Sequence, residues 1–172
     1  QVSPRLEHVA ANGLSRIEIL RGPQGLVWGA DAGGVILVQS QTLFSGTGLN
    51  LYTEGGSHGF ISSTVSAKAS TTLVSGNFTV NSLRTNGINA RLIDNNLRDL
   101  DGYRHESARA AVAVRATDKT QIVLRASDTS GNTDYDGCFD AVTFATRHDC
   151  QDNFGQKSWQ FSAVRKSEQQ LT

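Results

Sequence analysis

At 172 residues the chain has enough length for one ordinary core. Lys plus Arg equals Asp plus Glu at 16 each, so no net field draws it to nucleic acid or to an anionic membrane surface. Hydrophobic residues make up only 38%, Met is absent, Pro occurs twice and Gly 17 times, a composition that disfavours a helical bundle and suits strands joined by turns. No stretch approaches the roughly 18 consecutive apolar residues of a membrane-spanning helix, and the first residues lack the basic-then-apolar pattern of a signal peptide. The chain is therefore expected either to be soluble or to cross a membrane as strands.

Taken in order, Ile17 to Leu20 reads as a short strand, Arg21-Gly22-Pro23-Gln24-Gly25 as a turn, and Val35 to Val38 as an apolar run after Gly33-Gly34, suited to a strand buried on both faces. From about Leu49 the pattern becomes strict alternation. In 60–70 Ile61, Val65, Ala67 and Ala69 oppose Ser62, Thr64, Ser66 and Lys68. In 73–84 Val74, Phe78 and Val80 oppose Ser75, Asn77, Thr79 and Asn81, and in 107–117 Ala108, Ala110, Val112 and Val114 oppose Arg109 and Arg115. Ile122 and Leu124 oppose Gln121 and Arg125 in 120–128, and Trp159 and Phe161 oppose Gln160 and Ser162 in 158–168. Most of these segments exceed the usual five or six residues of a soluble strand and match the length a tilted strand needs to span hydrocarbon.

Tight connections at Thr71-Thr72 and Asp118-Lys119 alternate with long polar ones at 85–106 and 129–157, the layout of an outer-membrane barrel with periplasmic turns and extracellular loops. A soluble antiparallel sandwich has the same alternation, with the apolar face as its core. The apolar face here is heavy in Ala and light in Leu, Ile and aromatics, thin for a sandwich core and tolerable against lipid. Trp159 and Phe161 fit a girdle at the lipid boundary, whereas a sandwich would bury them in protein.

Cys138 and Cys150 lie in a polar segment without a CxxC pattern, and a local disulfide in an oxidising compartment is the natural reading, two free buried thiols the alternative. Asp134, Asp136 and Asp140, with Asp99 and Asp101 in the earlier loop, offer oxygen ligands for Ca²⁺; solvated loop carboxylates are the plainer reading. Gly55-Gly56-Ser57-His58-Gly59 has the GxSxG spelling of a hydrolase elbow, but a strand follows where that motif needs a helix. His8, His58, His105 and His148 show no metal-ligand spacing, so no catalytic constellation is expected.

The run Ser15-Arg16-Ile17-Glu18-Ile19-Leu20-Arg21-Gly22-Pro23-Gln24-Gly25-Leu26-Val27-Trp28-Gly29, followed by Ala32-Gly33-Gly34-Val35-Ile36, resembles the plug signature of TonB-dependent outer-membrane receptors. Trp28 stands where that family more often has Tyr, the glycine pair sits one residue closer, and Leu37 and Ser40-Gln41 replace the usual Asn and Thr-Lys. The resemblance implies an all-β-dominated fold: part of a transmembrane antiparallel barrel, 22-stranded in the family, behind the C-terminal part of an α/β plug domain. Residues 1–43 would be plug and residues 44–172 the first six or so barrel strands. It implies energy-coupled uptake of a scarce nutrient (a ferric siderophore, cobalamin or a saccharide) in the outer membrane of a Gram-negative bacterium. The partners would be lipid and lipopolysaccharide, and the TonB-ExbB-ExbD complex, engaged through a plug segment that this sequence does not contain. Glu18 and Arg21 would pair with charges on the barrel wall, and Gly22, Pro23, Gly29, Gly33 and Gly34 would shape the plug turn. Calcium in outer loops is also known among the family's cobalamin receptors. A secreted, disulfide-stapled β-sandwich adhesion module is the expectation from a different class.

Overall fold

A computed structural model describes residues 14–22, 33–89, 91 and 100–165. Two strands, β1 (Leu14–Arg21) and β2 (Gly34–Ser40), form an antiparallel hairpin. After them come β3 (Gly48–Gly55), β4 (Ile61–Ser70), β5 (Val74–Thr85), β6 (Tyr103–Arg115), β7 (Thr120–Tyr135), the two-residue β8 (Cys138–Phe139) and β9 (Thr146–Arg147), and β10 (Cys150–Arg165). The fold of the described residues is all-β and antiparallel throughout, without a helix. Six strands make one sheet in the order β10-β7-β6-β5-β4-β3, with β3 and β10 as open edges.

Burial in this sheet is the reverse of a soluble protein's. Its buried side chains are mostly polar: Ser62 at 2% exposure, Asn81 at 3%, and Thr64, Ser66, Ser75, Thr79, His105 and Ser107. Its large apolar side chains face outward: Leu51 at 74%, Phe161 at 72%, and Val65, Phe78, Val80, Val112, Val114 and Leu124. The cause is strand alternation, which puts every second residue on one face, and the hydroxyl-rich face is the covered one. Desolvating those polar groups is tolerable because they bond one another. Asn81 Nδ2 donates to Thr64 Oγ1 at 2.9 Å and to the Ser63 carbonyl at 3.3 Å.

Cross-strand register gathers the outward residues into a band. Ala67, Phe78, Ala110, Ala126 and Trp159 lie abreast on successive strands, and Gly76, Val112, Leu124 and Phe161 form the next row. At one margin Lys157 reaches Asp128 at 3.4 Å, with Glu106 and Ser130 one row farther out. Trp159, one alternate residue inside that ion pair, therefore sits at the polar margin of the band.

The tight turns 71–73 and 116–119 lie at one end of the sheet, and connections 56–60, 86–102 and 136–149 at the other. Backbone bonds from Thr71 to Val74 and from Ala116 to Thr120 close the tight turns at 2.7 and 2.9 Å. The expected loop 129–157 is corrected here. Residues 129–135 and 150–156 are paired strand, in an unbroken register from Cys150 opposite Tyr135 to Arg165 opposite Thr120, so the last strand starts at Cys150 rather than 158. The expected loop 85–106 likewise narrows to 86–102. At about 3.4 Å per residue β7 and β10 reach roughly 50 Å, twice the roughly 25 Å apolar band of an outer-membrane barrel. Their outer halves are polar on both faces apart from Phe154, Tyr135 and Cys150.

One glycine is indispensable in that outer ladder. Gly131 lies opposite both His105 and Phe154, whose rings stack across it at 6.0 Å. A Cβ there would collide with the Arg104 carbonyl oxygen and meet the Phe154 ring at 2.8 Å. Gly131→Ala is therefore expected to lower stability by about 1–3 kcal/mol, the usual cost of overpacking. Denaturant midpoints of the folded protein check this, an unchanged midpoint being the contrary result.

The hairpin also departs from expectation. Val35 to Val38 are not covered on both faces: Ile36 and Val38, with Ile17 and Ile19 opposite them, are exposed. Val35 and Leu37 on the other face are only half-buried, so this two-stranded hairpin packs neither face fully. The expected α/β character of this region is represented among the described residues by β-structure alone, residues 23–32 lying outside them.

Candidate functional site

The connection 41–47 lays the hairpin side of the chain over the polar face of the six-stranded sheet, which is thereby its inner face. Ser75 Oγ accepts from the Phe44 N–H at 2.8 Å, Asn77 Nδ2 donates to the Gln41 carbonyl at 3.5 Å, and Lys68 Nζ reaches the Ser45 carbonyl at 3.3 Å. The Arg115 guanidinium lies 4.1 Å from the centre of the Phe44 ring, a cation–π contact. Phe44 holds φ at 60°, a left-handed backbone that a bulky residue adopts at a cost and that here aims its ring at Arg115.

The plug-signature residues fall as follows. Glu18 is half-buried on β1 and takes Arg16 Nε at 2.7 Å, a partner two residues back on its own strand. Arg21 ends β1 opposite Gly34 and is exposed. Gly22 follows with φ at 98°, a backbone that requires glycine at the turn. A Cβ on Gly34 would stand 3.0 Å from the Leu20 carbonyl oxygen, so close strand approach explains the second glycine of its pair, whereas Gly33 has open space around it. Pro23 and Gly29 lie outside the described residues.

The outer connections are braced. Cys138 and Cys150 are joined by a disulfide, Cα to Cα 6.2 Å, which closes the 136–149 tip just past the β7–β10 ladder. Arg91 of the 86–102 connection lies against His148, 2.6 Å from its Nε2, and the Asn86 N–H donates to the His58 carbonyl at 2.8 Å. GxSxG is thus a hairpin turn between β3 and β4, with His58 and Gly59 at φ 56° and 66°.

The three aspartates that could offer ligands to a cation do not converge. Asp134 Oδ1 accepts from Gln151 Nε2 at 2.9 Å within the ladder, whereas Asp140 Oδ1 accepts from the Thr143 and Val142 N–H groups at 2.8 and 2.9 Å and builds a turn. Asp136 keeps both carboxylate oxygens buried without a hydrogen-bond partner. Among the described residues no group of three His, Cys, Asp or Glu side chains is placed to hold a metal ion. A strand and a turn separate these side chains, which a single loop could have gathered.

Donation from the Thr143 and Val142 backbone, with Arg147 nearby, holds the Asp140 carboxyl below the usual carboxylate pKa. A depressed pKa stabilises the folded turn above the unfolded value near 3.9, and that contribution fades as pH falls through the lower folded value. The turn 140–145 should therefore keep its form at pH 5 and loosen only well below pH 4. Carbon-13 titration of the Asp140 carboxyl checks this; a midpoint at or above the ordinary range would contradict it.

Two residues gain importance only from the structure. Arg109 and Arg125, legible in the sequence merely as polar-face residues, line a cleft of about 220 Å³ between the hairpin and the six-stranded sheet. Their signal is charge on the polar face of two adjacent central strands. No family model matches the sequence, and no curated protein matches it either.

Proposed function

We propose that this chain forms plug and wall segments of an outer-membrane β-barrel of the TonB-dependent receptor type, which imports a scarce nutrient (ferric siderophore, cobalamin or saccharide) with energy from the TonB complex. The observation that carries the membrane part is the inverted burial of the six-stranded sheet, hydroxyls and amides inside, a band of Leu, Val, Phe and Trp outside. A lipid-facing wall has that polarity. A sandwich adhesion module needs the opposite one, since its apolar face is its core. The plug part is supported by the Arg16 to Gly22 stretch of the signature, which forms β1 and its glycine turn, and by the packing of the 41–47 connection on the inner face. Import by such a protein is a matter of binding and gating rather than of bond making, with the outer connections and the plug facing the nutrient.

The test uses the full-length protein, refolded in vesicles and carrying Trp28→Phe, so that Trp159 is its fluorescent reporter within this segment. Brominated lipid should quench Trp159, and the periplasmic domain of TonB should be retained by the protein. An unquenched Trp159 would refute the membrane reading. Quenching without TonB retention would refute energy coupling and leave a barrel.

A further inference from the structure

The chain between β2 and β3 is fastened to the six-stranded sheet more firmly than the strands before it. The hydrogen bonds and ion pairs of the described β1 and β2 residues all run within the hairpin: the ladder itself, Ser15 Oγ to the Ser40 carbonyl, and Arg16 to Glu18. Toward the sheet this hairpin brings the apolar Leu14 and Val38 to the cleft. From Phe44 onward the bonding reverses. The Phe44 N–H donates to the buried Ser75 Oγ at 2.8 Å, and the Gly46 N–H donates to Ser70 Oγ at 3.1 Å. Lys68 Nζ donates to the carbonyl and to the Oγ of Ser45, each at 3.3 Å. The Arg115 guanidinium over the Phe44 ring is itself held, its Nη1 donating to the Thr72 carbonyl at 2.8 Å. Lys68, Ser70, Thr72 and Ser75 lie in or beside the tight turn 71–73, and the Arg115 N–H joins it through the Leu73 carbonyl at 2.8 Å. All these fastenings therefore belong to one end of the sheet. The left-handed backbone of Phe44 persists only where the surroundings over-determine it, and here N–H and ring are both engaged.

We propose that the connection 41–47 is a clasp, a fixed anchor at Phe44 from which the β1–β2 hairpin can leave the sheet while the chain beyond stays in place. Local opening follows the weaker bonding, so the boundary of the moving part falls between Ser40 and Phe44. The clasp takes from the transport reading only the displacement of the hairpin in use, and it assigns where that displacement stops.

Hydrogen exchange of the full-length protein in neutral detergent, followed residue by residue by NMR, tests this, because exchange reports local opening. Corrected for intrinsic rates, the Phe44 and Gly46 amides are expected to exchange at least about tenfold more slowly than the β1–β2 ladder amides. R115Q removes the cation and the bond to Thr72, and should speed the Phe44 and Gly46 amides about tenfold while the mid-sheet amides of β5 and β7 keep their rates. F44L keeps apolar bulk and loses the cation–π contact; its effect, about fivefold, decides the matter if R115Q fails to fold. Phe44 and Gly46 amides that exchange as fast as the hairpin's in the wild type overturn the clasp. So do rates that both variants leave unchanged, or variants that speed hairpin, connection and mid-sheet alike, since the three would then open as one unit. Neither TonB nor nutrient enters the measurement, so failure of the clasp and failure of the transport reading are told apart.

Discussion

On the proposed membrane reading, arginine in place of Val112 is expected to destabilise the protein by about 2–4 kcal/mol, the cost of a cation at mid-depth on a lipid face. Val112 sits on a central strand with Gly76 and Leu124 abreast and Phe161 next, so its substituent has only outward space. The same change at Ser130, which shares the outward face but lies beyond the Asp128–Lys157 ion pair, should cost about 0–1 kcal/mol, because interfacial depth lets the charge reach water. Urea titration of protein folded into short-chain lipid vesicles measures both. If Val112→Arg stays within about 0.5 kcal/mol of wild type, as an ordinary water-exposed substitution would, the outward face is not a lipid face.

Loss of the disulfide should have a comparable effect, confined to one end of the molecule. The bridge spans a sequence separation of 12, and closing a loop of that size removes about 3 kcal/mol of chain entropy from the opened state. Because the bridge lies at the tip rather than in the wall, the effect should appear as local opening. Cys138→Ser with Cys150→Ser, or reduction, is then expected to speed tryptic cleavage at Arg147 by up to about a hundredfold, while the wall midpoint moves little. Equal cleavage rates with and without the bridge would mean that the ladder and the Arg147–Asp149 ion pair, at 3.0 Å, already hold the tip unaided.

The strands between 60 and 128 are legible in the sequence because one of their faces is apolar and the other polar, and a period of two is visible only under that contrast. The outer halves of β7 and β10 lack it. Thr129, Ser130, Asn132 and Thr133 put polar side chains on both faces, so the residues read as a loop while their backbones remain fully paired. Alternation also cannot reveal which face is inside, and it took the burial of Ser62 and Asn81 to do so. The two strands of the β1–β2 hairpin were readable as apolar runs, whereas their pairing was not, and neither was the partner of Glu18, since Arg16 on the same strand lies two residues away from it. Arg109 and Arg125 could be seen as charges but not as neighbours, because their proximity is a matter of register between two strands.

The strand order of the sheet bears on how such a wall can be made. Each of its five ladders joins strands that follow one another along the chain, β8 and β9 being a small excursion between β7 and β10. Ring closure for each new ladder therefore spans only a short stretch, the entropic barrier stays low, and no strand waits for a remote partner. Growth can proceed hairpin by hairpin at one advancing edge, so that besides the fixed β3 edge only that moving row of amides needs shielding from other chains.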